Sequence, residues 1–199
     1  MKIYDISQEV FSCVVFPGDP APKKNTVCSI DSGAVCNLTE FSMCAHNGTH
    51  IDAPYHFLND GKSVDEIPLE KFTGYAFVVD HEGLVSAEDA ENILKKAAAA
   101  NRESVKRILI KGKSTVSESA ARVFAKEKIF LLGNESQTVG PKDAPMAVHK
   151  ILLGEEMVLL EGIRLEHVPE GAYVLNAAPL CLSGADGAPC RAILIDLEN

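Results

Sequence analysis

No stretch of this chain approaches the ~20 consecutive apolar residues that a membrane-spanning helix needs, and its Lys and Arg residues never gather into a block. The first absence argues against a helical membrane span and a membrane partner. The second, with a net charge of −9, argues against nucleic acid as a partner. Tryptophan is missing altogether, and the six cysteines form no Cys-x-x-Cys pair. A chain of 199 residues is long enough to build a core without a disulfide scaffold, so reduced thiols in the cytoplasm are expected. The opening Met1-Lys2-Ile3-Tyr4-Asp5-Ile6 is strand-like, is charged early and lacks the apolar core of a signal peptide. No internal repeat, low-complexity linker or boundary is visible, so one domain over residues 1–199 is expected.

The first sixty residues are rich in turn formers such as Pro17-Gly18-Asp19-Pro20 and read as short strands and loops. Beyond them strands and helices alternate. Tyr75–Asp80 suits a buried strand. Ser86 caps a helix, with Asp89 in the capping-box position and Ala90, Ile93, Leu94 and Ala97 on one face. Arg107–Lys111 is the next strand, and Glu118–Lys126 a second helix with Val123 and Phe124 inward. Ile129–Leu132 is a third strand. A third helix fits Met146–Leu153, with Gly154 as its C-cap. Met157–Leu160 follows as a strand with Glu161 at its exit, and Tyr173–Asn176 and Arg191–Asp196 complete the sheet. This alternation predicts an α/β fold with parallel strands and helical crossovers.

Chemistry concentrates in His46-Asn47-Gly48-Thr49-His50-Ile51-Asp52-Ala53-Pro54-Tyr55-His56-Phe57. Three imidazoles and a carboxylate share one parity, and in an extended segment residues of one parity face one side. In a straight strand the Cα atoms of His46 and His50 would lie ~13 Å apart, nearly too far to share an ion. Gly48 lets the backbone bend and close the gap. Pro54 argues against a central strand, so a stiff, bent loop is expected. His46, His50 and Asp52 would hold one metal with a position left for water, and the second oxygen of Asp52 could reach another ion. His149, on the third helix, and Glu161, at the carboxyl end of the following strand, are placed to supply its ligands. From the residues alone, a core histidine and a solvated glutamate are the slightly favoured readings of these two. His81 and His167 read as ordinary surface or core residues. A thiol enzyme built on Cys44, of the same parity as His46, is a rival reading, as is a metal-binding protein without catalysis.

The 46–57 segment resembles the His-x-Gly-Thr-His-x-Asp-x-Pro-x-His signature of the cyclase family of metal-dependent hydrolases, known chiefly for bacterial kynurenine formamidases, with isatin hydrolases as relatives. Tyr4-Asp5-Ile6-Ser7, Phe16-Pro17-Gly18-Asp19-Pro20, His149-Lys150-Ile151-Leu152-Leu153 with Leu160-Glu161-Gly162, and Gly184-Ala185-Asp186-Gly187-Ala188-Pro189-Cys190-Arg191 are similar to other family segments. The resemblance implies a swivelling β/β/α domain with a mixed sheet, usually a homodimer. It implies two divalent metal ions, zinc in the formamidases and manganese in some relatives. His46, His50 and Asp52 would then hold the first ion, and Asp52, His149 and Glu161 the second. His56 would be the catalytic acid-base residue. Phe16, Tyr55 and Phe57 would help build an apolar substrate pocket, with Phe16 where the family often has Trp. Asn134 stands where many members have Asp. The implied reaction is hydrolysis of a small amide such as N-formylkynurenine, a step of tryptophan catabolism. Alternatives at the same site are opening of a cyclic imide, lactam or lactone, or a dehydratase or cyclase reaction.

Overall fold

The computed structural model describes residues 1–141 and 145–197. In chain order the strands are β1 (Lys2–Asp5), β2 (Lys23–Cys28), β3 (Leu38–Ser42), β4 (His50–Asp52), β5 (Thr73–Asp80), β6 (Gly83–Val85), β7 (Arg107–Lys111), β8 (Ser114–Val116), β9 (Leu131–Asn134), β10 (Val158–Glu161), β11 (Gly171–Asn176), β12 (Gly187–Pro189) and β13 (Ile193–Asp196). The helices are α1 (Ala87–Ala100), α2 (Glu118–Lys126) and α3 (Pro145–Gly154). Nine strands form one mixed sheet in the order β1-β13-β11-β5-β7-β9-β10-β4-β12. Its middle, β5-β7-β9-β10, is parallel and linked through the helices, as the alternation predicts. Both flanks are antiparallel. β2 and β3 form a separate hairpin, and β6 and β8 a small parallel pair.

Side-chain alternation splits the core into two layers. Phe77, Val79, Ile108, Ile110, Leu132 and Leu159 point to the face that carries all three helices. Val78, Leu109, Leu131 and Leu160 point to the other, where the flanking strands and the loop after β1 add Leu175, Leu194, Ile51 and Ile6. α1 begins at the Ser86 capping box, in which Asp89 Oδ2 accepts from the Ser86 backbone N–H at 2.9 Å. It buries the four expected residues Ala90, Ile93, Leu94 and Ala97. On α2 the fully buried stripe is Ala120, Ala121, Phe124 and Ala125, whereas Val123 only skirts the core.

Three elements depart from the sequence reading. The third strand is Leu131–Asn134 and not Ile129–Leu132, because pairing with β7 (Arg107↔Leu131) and β10 (Val158↔Leu131) sets its register; Ile129 is buried before it starts. α3 runs through Gly154, and the chain turns left-handed at Glu156, with φ 57°. His50–Asp52 is no loop: it is β4, hydrogen-bonded between β10 and β12. The strand stops before Pro54, which opens a 3₁₀ turn over Pro54–His56.

Two turns clamp the segment that carries the histidines. Gly48 and Gly162 both have φ of 69°. The Gly162 carbonyl accepts from Thr49 Oγ1 and from Gln8 Nε2, each at 2.8 Å, and Thr49 Oγ1 accepts from the Gln8 N–H at 2.9 Å. A Cβ on Gly162 would lie 2.4 Å from the Gly48 carbonyl oxygen. Left-handed backbone costs an L-residue about 1–2 kcal/mol, and that clash adds to it. Gly162→Ala is therefore expected to lose about 2 kcal/mol or more of stability, read as a lowered urea midpoint with an unchanged slope.

Candidate metal centre

Directly opposed residues of paired strands share a face. Opposite β4, Glu161 faces His50 and Leu159 faces Asp52, so both acids and His50 lie on the helix side of the sheet. α3 brings His149 to the same side. The bend at Gly48 folds His46 back over β4, where the absence of a side chain on Gly187 makes room: a Cβ there would stand 2.7 Å from His46 Cε1. The 3₁₀ turn after β4 then returns His56, whose ring stacks on that of His46 at 4.0 Å between centroids. The even-numbered parity thus holds for His50 and Asp52 on the strand, while the turns on either side place His46 and His56.

Asp52 is at the centre. Its Oδ1 lies 2.8 Å from His46 Nδ1 and 3.4 Å from His50 Nε2, and its Oδ2 lies 3.6 Å from His149 Nε2. Glu161 Oε1 is 3.3 Å from His149 Nε2 and accepts from the Val139 N–H at 2.8 Å, while its Oε2 is 3.7 Å from His50 Nε2. His50 Nδ1 is held by the Gly48 carbonyl at 3.1 Å, which leaves Nε2 facing the carboxylates. Asp52, His50, His149 and Glu161 are all buried. They line a cavity of about 420 Å³ whose wall contains no Lys or Arg among the described residues.

That absence decides what the cavity suits. Taking a carboxylate out of water costs several kcal/mol unless it is paired, and here the partners are imidazoles that also offer metal-ligating nitrogens. Burial disfavours the charged His46 ring, but hydrogen bonds and charge from Asp52 and then Asp186 outweigh it and lift His46 to about 9. His50 is raised in the same way, against its burial, by Asp52. Asp52 lies well below the usual carboxylate range despite its burial, because His46 and His50 donate to it. Burial, followed by the Asp52 charge, pushes Glu161 up. Two sets, His46-His50-Asp52 and Asp52-His149-Glu161, each bring three ligand atoms within 4.8 Å of one another. The residues fit divalent cations.

Asp186 is the site residue that the sequence reading passed over. It lies in the loop before β12. Its Oδ2 is 2.8 Å from His46 Nε2 and 3.0 Å from His56 Nδ1, so it ties the two stacked rings together. His46, His56 and Asp186 make a third possible ligand set, more open to solvent than the other two. In the sequence this aspartate stands out only as part of the longer Gly184–Arg191 segment. No spacing connects Asp186 to a histidine 130 residues away.

Of the three aromatic residues expected at a pocket, two line the cavity: Phe16, and Phe57, whose ring lies 4.6 Å from that of His149. Tyr55 does not; it points outward on the 3₁₀ turn, 44 % exposed. Cys44 is also in the wall, with its thiol raised by burial and the nearby Asp19. A raised thiol holds less thiolate, the opposite of what a nucleophile needs. All six cysteines are free. His81 and His167 lie outside the cavity.

Comparison with known proteins agrees with this fold. Residues 4–141 match the family model Cyclase, described as "Putative cyclase". The kynurenine formamidase of Bacillus cytotoxicus is 33% identical over 204 residues, covering 96% of this chain and 95% of that one. A solved structure titled as a potential metal-dependent hydrolase with cyclase activity superposes with a TM-score of 0.81 at 27% identity, over 97% of this chain and 96% of the other. Isatin hydrolase A from Labrenzia aggregata, 22% identical with a TM-score of 0.80 over 97% of this chain and 93% of its own, shares the fold. The fold is thus shared with these solved structures, and the chain belongs to the Cyclase family.

Proposed function

We propose that this protein is a metal-dependent hydrolase of a small aryl formamide, with N-formylkynurenine as the model substrate and kynurenine and formate as products. The observation that carries the reading is the buried meeting of Asp52 and Glu161 with His46, His50 and His149, beside a fourth histidine that those carboxylates do not bind. His46, His50 and Asp52 hold one ion; Asp52, His149 and Glu161 hold a second. Zinc is the first choice and manganese the second. Such ions lower the pKa of bound water from ~15.7 to about 7 and polarise a carbonyl oxygen, which supplies attack at neutral pH.

The chain's own groups do the rest. Asp186 accepts from His56 Nδ1–H and so fixes the tautomer, leaving Nε2 free towards the cavity. His56 Nε2 takes the proton that the attacking water loses and returns it to the aryl nitrogen as the C–N bond breaks, so that formate and the free amine leave. The stack on His46 holds the ring in place. Phe16 and Phe57 give the aromatic ring of the substrate apolar contact. The names of the 33%-identical relatives support the same substrate class. Residues 1–199 act as one domain. Exposed Phe11, Val27, Ile30, Leu38 and Phe41 on or beside β2 and β3 support a homodimer, since apolar side chains left open on both faces of that hairpin favour association. The free cysteines suit the reducing cytoplasm.

Three outcomes test this. His56→Ala is expected to keep its metal by elemental analysis and to lose about 10²–10⁴ in kcat on N-formylkynurenine; loss of an ion instead would make His56 a ligand, through the third set. Asp52→Asn is expected to lose both metal and turnover. In the metal-free protein the protonated His46 ring is stabilising. Its value is raised from 6.5 to about 9, so its contribution is full below pH 6.5 and disappears as pH rises through about 9. The melting temperature of the chelator-treated protein should fall over that interval, zinc loading should abolish the fall, and zinc uptake at pH 7 should release protons.

A further inference from the structure

A second cavity of about 510 Å³ adjoins the metal cavity and shares Phe16, Gln137 and Thr138 with it. Its remaining wall includes Val14, Val15 and Pro17, which are apolar, and the side chain of Arg164. Arg164 is half-buried and held by backbone alone: its Nη1 donates to the carbonyls of Ile163, Glu135 and Gly162 at 2.8, 3.2 and 3.4 Å. No ion pair joins it to a carboxylate among the described residues. Glu135 lines the same cavity, but its two oxygens are taken by the N–H groups of Leu165 and Gly112, each at 2.8 Å or less. On the shared wall, Gln137 donates through Nε2 to the Val14 carbonyl at 2.9 Å. Its Oε1, like Thr138 Oγ1, is buried without a partner among the described residues. A guanidinium held through Nη1, with Nε and Nη2 without a hydrogen bond among the described residues, in the same cavity wall as an unused amide oxygen, matches an α-amino acid: Arg pairs with the carboxylate, and the amide oxygen accepts from the ammonium.

We propose that this annex receives the amino-acid tail of the substrate, with Arg164 binding its carboxylate and Gln137 Oε1 its ammonium group. The enzyme then prefers formamides that carry an α-amino acid over neutral aryl formamides and over ring lactams that have no tail. This rests on the formamidase reading and adds to it the feature that selects the substrate. Arg164 is a specificity residue; the bond that breaks lies in the metal cavity, away from it.

The test compares N-formylkynurenine with 2-formamidoacetophenone, which lacks the tail, on zinc-loaded wild type, Arg164→Gln and Arg164→Lys. The wild type should favour N-formylkynurenine in kcat/KM. Arg164→Gln should reduce that preference about 10- to 100-fold, mostly through KM, and Arg164→Lys should keep part of it. If Arg164→Gln does not fold, Arg164→Lys carries the comparison alone. An equal loss on both compounds, leaving the preference intact, would mean that Arg164 only braces its loop and would overturn the proposal. If the wild type hydrolyses neither compound, the formamidase reading fails. Calorimetry with L-kynurenine against 2-aminoacetophenone then decides the annex separately: tighter binding of L-kynurenine that depends on Arg164 supports it, and equal binding overturns it.

Discussion

Asp52 and Glu161 are two carboxylates buried in one space without a Lys or Arg in the wall around them among the described residues. Such a pair is unstable in a protein interior unless something positive shares the space. In the metal-free chain that role falls to imidazoles, which gather protons because the carboxylates are there. Ligand groups whose charge is only partly balanced by protons favour a divalent ion, and the surrounding fold keeps them from moving apart. The β4–β10 pairing sets their spacing, the Gly162 carbonyl ties the loop of Thr49 to the end of β10, and the stack of His46 on His56 joins the cluster to a further histidine.

Function follows from which groups are fully enclosed. His50, His149, Asp52 and Glu161 are almost inaccessible, while His56 and Asp186 keep 27 % and 41 % of their side-chain surface exposed. Proton transfer needs contact with solvent or substrate, and ligation does not. The gradient of burial from β4 outward therefore separates residues suited to holding an ion from those suited to moving a proton. Arg164 lines the adjoining cavity, in a protein whose net charge is −9.

Much of this could be read along the chain, and what could not has an identifiable cause. The parallel ladder and its helices were legible because each is a local pattern: an apolar run, a cap at Ser86, a stripe of Ala90, Ile93, Leu94 and Ala97. The shared face of His50 and Asp52 was legible as parity, and the bend at Gly48 from the residue itself. The strand character of His50–Asp52 was hidden because its partners, Leu159–Glu161 and Gly187–Pro189, are more than a hundred residues away and Pro54 suggested a loop. The register of β9 was hidden for the same reason: Ile129 and Leu131 look alike until β7 and β10 choose between them. Tyr55 and Phe57 are both aromatic residues beside His56, and only the 3₁₀ turn decides that one faces water and the other His149. Asp186 has no local signature at all.

The long separations have a kinetic side. β4 sits between strands that are synthesised more than a hundred residues after it, and Asp186 joins His46 across 140 positions. Contacts that close such large loops form late and slowly, since the chain must lose that entropy before they give any return. The imidazoles of the early segment therefore have Asp52 beside them from the start but wait for Glu161 and Asp186, which are made more than a hundred residues later. The set Asp52-His149-Glu161 can close only once β10 has been made, and a nascent chain released short of β12 would carry those donor atoms without the strand that covers β4.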